Sequence, residues 1–358
     1  MKVAVLGGGC VGLGVARELA GLGCRVTVHE KNPSFGAEAS RAAAGMIGPQ
    51  SEAMDDDACF AATLASRDLW PDYAAALQKE SGVDLGFHTQ GALHLAFGAG
   101  YEKRLEAKYG WQKKKAGSLE RLEGQALRDR YPFLHPRASS AFIVGGDYWI
   151  DNESLMDALE AACRGRGVEL RANATVDADG LEVLGRENDA LVLASGAWTG
   201  QIFPKLEGLR PVKGQMLSFK VPAALMPDKP IHAEFVYLVP RGADRLLVGA
   251  TVEDAGFDKR LTGEGIEWLL QNAFETMPDL RGCEVDRIWA GLRPASADGW
   301  PILGPSPEKG VFMATGHYRR GILLLPLTVK ALVHSVMQGG LPDEAQVFAF
   351  ERSPLNRA

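Results

Sequence analysis

Met1–Glu30 reads MKVAVLGGGCVGLGVARELAGLGCRVTVHE. Val3, Val5 and Leu6 form a short apolar run suited to a buried parallel strand. The run ends in Gly7-Gly8-Gly9-Cys10-Val11-Gly12, which satisfies G-x-G-x-x-G. Val11, Val15, Leu19 and Leu22 then recur at helical spacing, and Gly21 and Gly23 bracket the helix end. Arg25 to His29 reads as a second strand, closed by Glu30. Gly7 allows a tight turn, Gly9 lets the backbone approach a pyrophosphate, and Gly12 lets the helix pack close on the strand. The helix N-terminus offers N–H groups and the positive end of a dipole to that phosphate. Glu30 stands where an acid binds a ribose 2′-OH, which favours an unphosphorylated ribose over NADP. The stretch predicts a dinucleotide site. The motif does not itself choose between NAD and FAD, although its place at the start of the chain tilts toward FAD.

Working outward, residues 36–50 (GAEASRAAAGMIGPQ) are small, as close approach to a flat ligand requires. Ser40 and Arg41 stand there as candidate phosphate or ring contacts. Asp57 to Ser81 reads as one or two helices, with Pro71 a candidate start for the second. Val83 to Phe97 alternates around Gly91, as a hairpin does. Ser118 to Asp129 reads as helical, and Ala141 to Gly146 as a strand. Asp151 or Asn152 caps a helix over Glu153–Gly165. Gly167–Leu170 and Ala174–Val176 read as strands. The apolar run Ala190–Ala194 stops at Ser195-Gly196-Ala197-Trp198, as a sheet strand abutting the same nucleotide does.

From Arg210 to Arg287 the chain turns β-rich, with strands at Gln215–Val221, Phe235–Pro240 and Arg245–Thr251, a helix at Gly263–Met277 and a strand at Val285–Ala290. Gly291–Gly304 reads as a loop carrying Arg293. Gly310–Thr315 is a further strand, and a closing helix starts near Pro326. The fold class is α/β with an α+β second part: a Rossmann-type nucleotide domain (residues 1–85, 140–208 and 291–358) and an inserted, mainly antiparallel substrate domain (86–139 and 209–290).

Composition limits the function. The 358 residues are 46% apolar and 23% charged, with a net charge of −6, as in an ordinary enzyme and unlike a nucleic-acid binder. The basic run Lys113-Lys114-Lys115 reads as a solvated surface stretch. Five scattered cysteines and seven histidines show no metal spacing, so no metal is expected. No apolar run reaches the length of a membrane span. The first strand begins without a leader before it, which predicts a cytoplasmic protein.

Taken in order, these motifs resemble those of the D-amino acid oxidase superfamily of FAD enzymes, and within it the glycine oxidases of thiamine biosynthesis. The resemblance rests on Gly7-x-Gly9-x-x-Gly12 with Glu30, Ser40-Arg41-Ala42-Ala43-Ala44-Gly45-Met46, Ala194-Ser195-Gly196-Ala197-Trp198, Pro211-Val212-Lys213-Gly214-Gln215, Tyr237-Leu238-Val239-Pro240-Arg241, Val248-Gly249-Ala250-Thr251, Gly291-Leu292-Arg293-Pro294, Asp298-Gly299-x-Pro301 and Gly316-His317-Tyr318-Arg319 with Gly321-Ile322-Leu323-Leu324. It covers nearly the whole chain.

The resemblance implies oxidation of an amine beside a carboxylate, with FAD taking a hydride and O2 reoxidising it to give peroxide. The alternative is a D-amino acid or secondary-amine dehydrogenase that uses another electron carrier. Arg293 would bind the carboxylate as a planar fork, Tyr237 would donate to it, Arg319 would contact substrate or flavin, and Met46 would line the ring. FAD would be held by Gly7, Gly9, Cys10, Val11, Gly12, Glu30, Lys31, Ser40, Arg41, Ala43, Ala44, Gly45, Met46, Val176 through its backbone, Ser195, Gly196, Trp198, His317, Arg319, Gly321, Ile322 and Leu323. No cysteine follows Cys283, so the FAD would be noncovalent. The resemblance also implies a homo-oligomer. Phe235 and Val252 depart from the His and Met common in glycine oxidases, on the substrate side. Arg320 stands where a small polar residue is common, a change that surface exposure would make harmless.

Overall fold

The computed structural model describes residues 1–53, 55–113 and 118–352. Lys114 and Lys115 of the basic run lie outside them. Strand β1 (Lys2–Leu6) leads through the glycine turn into helix α1 (Cys10–Gly21), and the chain returns as β2 (Arg25–His29), parallel to β1. β1 is buried on both faces. Val3 and Val5 pack among helices, while Ala4 and Leu6 meet Leu191, Leu193, Phe203 and Leu206 on the other side. A period of two feeding two cores explains the unbroken apolar run. Each fully buried valine stabilises the fold by roughly 1.5–3 kcal/mol.

β1 is central in a six-stranded sheet. Its order is Ile302–Pro305, Val311–Thr315, Ala190–Leu193, β1, β2, Glu169–Arg171, parallel except at the first pair. α1 and the helices Ala58–Ser81, Asn152–Gly165 and Leu325–Gln338 share the core over one face. A second sheet has eight strands in the order Glu284–Ala295, Arg210–Lys220, Arg245–Gly249, Tyr237–Arg241, Ile231–His232, Ala92–Ala96, Ser140–Val144, Leu119–Glu123. It is antiparallel except where Ile231–His232 meets Ala92–Ala96. The helix Gly263–Thr276 buries Leu269 and Ala273 with Leu217, Phe219, Leu246 and Val248. No helix among the described residues is long and apolar enough to cross a membrane.

Of the two readings of residues 57–81 the single helix holds: Ala58–Ser81 runs unbroken through Pro71. The proline is exposed, whereas Trp70, Ala74 and Leu77 are buried, and Trp70 Nε1 donates to Leu323 O at 3.1 Å. That burial offsets the roughly 3 kcal/mol cost of a mid-helix proline. Val83–Phe97 is not a hairpin. His88 exchanges backbone hydrogen bonds with Trp149 at 2.9 and 3.0 Å, and only Ala92–Ala96 is a strand. Gly91 marks close approach, since a Cβ there would lie 2.5 Å from Val144 O. Within Ser118–Asp129, Leu119–Glu123 is a charged edge strand, and only Gly124–Arg130 is helical.

Ala174–Val176 is not a strand, and Ala178–Glu187, unforeseen, is a helix. Asp151, not Asn152, caps the helix over residues 152–165, accepting from Glu153 and Ser154 N–H. The glycine- and proline-rich stretch 291–304 is partly strand: Gly291–Ala295 continues a long strand against Arg210–Gly214, and Ile302 starts another. Ser140–Val144, assigned above to the nucleotide domain, pairs inside the eight-stranded sheet, and Glu284–Ala295 crosses the expected boundary at residue 291. Pairing partners far away in sequence decided each of these strands.

Candidate functional site

A cavity of about 770 Å3 is lined by both sheets. Its first part is the turn after β1. Gly7 has φ +106°, and a Cβ on it would lie 2.3 Å from Ala194 O. A Cβ on Gly12 would lie 2.0 Å from Gly7 O, so α1 closes directly on the strand end. Gly9 is the N-cap of α1 and gives the helix no side-chain hydrogen bond, which leaves that end to a ligand. Cys10 N–H donates to Ser40 Oγ at 3.0 Å. Glu30 is buried beside the turn and accepts from Gly8 N–H at 2.8 Å and from Asn32 N–H at 2.9 Å. Lys31 Nζ stands 3.2 Å over the Trp198 ring, and Val176, Ser195 and Gly196 complete this end of the wall. A glycine cradle at a helix N-terminus, an acid just past the end of the next strand and a long lined cavity fit a dinucleotide.

The other part is assembled from separate strands. Arg293 and Tyr237 lie on strands of the second sheet. Arg293 Nη1 donates to Thr251 O at 3.1 Å and to Lys213 O at 3.3 Å. A Cβ on Gly214 would come within 2.3 Å of Arg293 Nη2. A Cβ on Gly249, the cross-strand partner of Tyr237, would come within 2.4 Å of the tyrosine hydroxyl. Both side chains therefore lie over glycines, which is the physical content of the K-G-Q and V-G-A motifs. Burial raises the Tyr237 pKa, with Arg293 opposing, so the phenol stays protonated and able to donate.

Met46 is half-buried, paired across to Trp149, and lines the cavity with Ala43, Ala44 and Gly45. Arg241 holds that segment, donating to Ala44 O at 2.8 Å and Ile150 O at 2.7 Å. His317 is buried with its pKa pushed down to about 4 by desolvation, and its Nε2 pairs with Thr328 Oγ1 at 3.0 Å. Arg319, Gly321, Ile322 and Leu323 line the cavity beside it.

Two expected cofactor contacts stay off the wall. Arg41 turns away, donating to Phe35 O at 3.0 Å and Asp157 Oδ1 at 2.7 Å, so it anchors its segment to a neighbouring helix. Gly12 acts through packing alone. Arg320 is not at the surface: it is buried, with its guanidinium 4.1 Å over the Trp300 ring and Nη1 donating to Gly299 O at 3.2 Å. Phe235 and Val252 do line the cavity, and are 62% and 63% exposed, which places them at its rim.

Sequence reasoning missed Ser51, Glu52, His232 and Tyr318, which also line the cavity. Glu52 lies 3.6 Å from Arg319 Nε. Ser51 and Glu52 continue the small-residue segment past its last glycine, a signal that was available. His232 had none, because its two-residue strand is defined only by its neighbours. No group of three or more metal-binding side chains occurs among the described residues.

The family model for DAO, FAD dependent oxidoreductase, matches residues 2–335. The chain belongs to the DAO family. It is therefore an FAD-dependent oxidoreductase. The bifunctional protein ThiO/ThiG of Trichormus variabilis is 33% identical over 352 residues, covering 94% of this chain and 52% of that protein. The chain thus spans about half the length of that bifunctional relative. The glycine oxidase of Geobacillus kaustophilus is 34% identical over 340 residues, covering 91% of this chain and 90% of the relative. A crystal structure of glycine oxidase from Geobacillus kaustophilus superposes with a TM-score of 0.90 at 31% identity, covering 98% of this chain and 99% of that one. The expected family and fold class are borne out.

Proposed function

We propose that this DAO family member oxidatively deaminates glycine or a related small amino acid or secondary amine. The observation that carries this reading is the pairing of Arg293 with the protonated Tyr237 on the cavity wall away from the glycine turn. A guanidinium fork and a phenol donor are the complement of one carboxylate. The six-stranded sheet then serves as the nucleotide domain and the eight-stranded sheet as the substrate domain. Gly7, Gly9, Cys10, Val11, Glu30, Lys31, Ser40, Val176, Ser195, Gly196 and Trp198 hold the nucleotide part of noncovalent FAD. Ala43, Ala44, Gly45, Met46, His317, Arg319, Gly321, Ile322 and Leu323 surround the flavin. When bound, FAD supplies the hydride acceptor, and O2 is the terminal acceptor in this reading.

The chain's own residues position the amine. Arg293 and Tyr237 fix the carboxylate, which leaves the α-carbon in one orientation. Met46 and the apolar segment before it exclude water from the ring, while Glu52 holds Arg319 at the wall. Phe235 and Val252 at the rim favour an amine with a different or larger substituent. The test is anaerobic bleaching of the holoenzyme's flavin band near ~450 nm by glycine, sarcosine, D-alanine, D-proline and iminodiacetate, followed by air and peroxide detection. Bleaching with prompt peroxide is expected. Bleaching without peroxide replaces the oxidase with a dehydrogenase, and no bleaching by any of the five overturns the small-amine reading.

A further inference from the structure

Beside the amine end lies a buried polar cluster with no part in holding the carboxylate or the nucleotide. Ser51, on the short helix Pro49–Glu52, lines the cavity. Its Oγ stands 2.6 Å from His94 Nε2 and donates to Asp147 Oδ2. Asp147, in the turn after Ser140–Val144, is 2% exposed. It also accepts from Gln50 N–H and Ser51 N–H, each at 3.0 Å. Room for its carboxylate comes from Gly48, whose Cβ would lie 3.0 Å from Oδ2. His94 stacks flat on His232, with centroids 4.3 Å apart and planes at 4°. His232 in turn lines the cavity, 6.3 Å from the Tyr237 ring. The cluster therefore adjoins the place where the substrate's amine and carboxylate sit.

The hydrogen count is informative. A serine hydroxyl has one proton and two lone pairs. With Asp147 ionised, the Ser51 proton points to Asp147, and one lone pair receives the Nε2–H of a neutral His94. The remaining lone pair is on a residue that lines the cavity. An α-amino acid arrives as an ammonium, yet only the free amine can give up its α-hydrogen as hydride. The ammonium proton needs an acceptor.

We propose that Ser51 takes that proton and passes its own hydroxyl proton to Asp147, with His94 holding the serine oxygen; this rests on the amine-oxidase reading above. One N–H bond of the substrate breaks and one O–H bond forms on Ser51. The original Ser51 O–H bond breaks and an O–H bond forms on Asp147 Oδ2. Ammonium and carboxylate become amine and carboxylic acid, and no electrons are exchanged. Hydride loss from the neutral amine leaves an iminium, and water hydrolyses it to the carbonyl, ammonia and one proton, which peroxide formation takes up. Ammonia recovers the proton through Ser51 and leaves as ammonium, which returns Asp147 to its carboxylate form.

The electrostatics support this direction. Burial raises the Asp147 pKa to about 6 against its hydrogen bonds from Ser51 and Gln50 and the nearby Lys108 charge. It can therefore hold a proton that an exposed aspartate would shed. Burial and the facing His232 press His94 well below its usual value, so His94 stays neutral and the proton settles on the acid. The ammonium, desolvated beside Arg293 and Arg319, is pushed down toward it. Other charged or titratable groups facing the cluster are Lys108 and Tyr109 from the helix Ala99–Gln112, Glu52 beside Ser51, and Arg67, which donates to Gly146 O at 2.6 Å.

Two measurements on the holoenzyme test the proposal. The first needs no turnover: the infrared carboxylic-acid band that D147N removes should titrate near pH 6 and shift in frequency in S51A. If that band titrates in the ordinary aspartate range, or S51A leaves it unmoved, the relay is wrong whatever the substrate. The second is the rate of anaerobic flavin bleaching against pH with whichever amine bleaches the wild type. S51A should slow it by about 10²-fold at neutral pH. The loss should vanish toward pH ~10, where the amine sheds its proton in solution. A loss equal at all pH values would make Ser51 merely structural and overturn the relay. Failure of every amine to bleach the wild type would instead strike the functional reading, with the infrared result still deciding the cluster's chemistry.

Discussion

One end of the cavity comes from consecutive residues: β1, the glycine turn, α1 and β2 lie within Met1–Glu30. The other end gathers Met46, His232, Tyr237, Arg293 and Arg319 from segments scattered between residues 46 and 319. The first end works through backbone. Its glycines fix a turn and a close approach at a helix start. The second works through side chains, and its glycines, Gly214 and Gly249, exist to leave space for Arg293 and Tyr237. A nucleotide carrier common to many reactions needs a shape that local sequence can encode, whereas a substrate needs chemistry that only converging strands supply.

The sharpest way to break this comparison is at the glycine turn. Gly12→Ala places a Cβ 2.0 Å from Gly7 O, where only backbone could yield. Purified protein should carry almost no flavin, read from its visible absorbance, and lose stability by about 1–3 kcal/mol. Normal flavin content in this variant would show that the close approach is dispensable. At the amine end, Arg293→Ala should keep its flavin and lose about 10²–10³-fold in kcat/KM for the best amino acid, as expected for a desolvated carboxylate losing its partner. Equal losses of flavin and activity would erase the distinction between the ends.

A smaller effect follows from buried histidines on the amine side. Burial lowers His232 to about 3 and His317 to about 4. A base with a lowered folded pKa contributes stability above its unfolded value, ~6.5, and loses it as pH falls through the window toward the folded one. For His317 the full effect is on the order of 3 kcal/mol. Asp147 acts with the opposite sign, since its raised pKa favours the folded state as pH drops toward ordinary aspartate values. With His94 also held neutral, the histidines outweigh it. Thermal melts should show Tm falling from pH 7 to pH 4, and His317→Gln should reduce that slope.

The comparison also explains what could be read in advance. Gly7, Gly9, Gly12 and Glu30 were legible because their spacing along the chain is their geometry. Arg293 and Tyr237 were legible only through resemblance, since nothing near either one in sequence says that they meet. Arg41 misled because its neighbours are ligand-facing, yet a four-residue helix turns it toward Asp157. The burial of Arg320 was not legible, because it depends on Trp300, brought in from another strand connection.

By itself the sequence determined the β1–α1–β2 unit, its cradle and the family, because these depend on local sterics, helix and strand periodicity, and motif order. Only the tertiary structure decided which stretches became strands of the second sheet, where Arg41 and Arg320 point, and that Ser51, His94 and Asp147 share one hydrogen-bonded cluster. Those outcomes depend on pairing and burial among residues distant along the chain, and no local pattern carries that information.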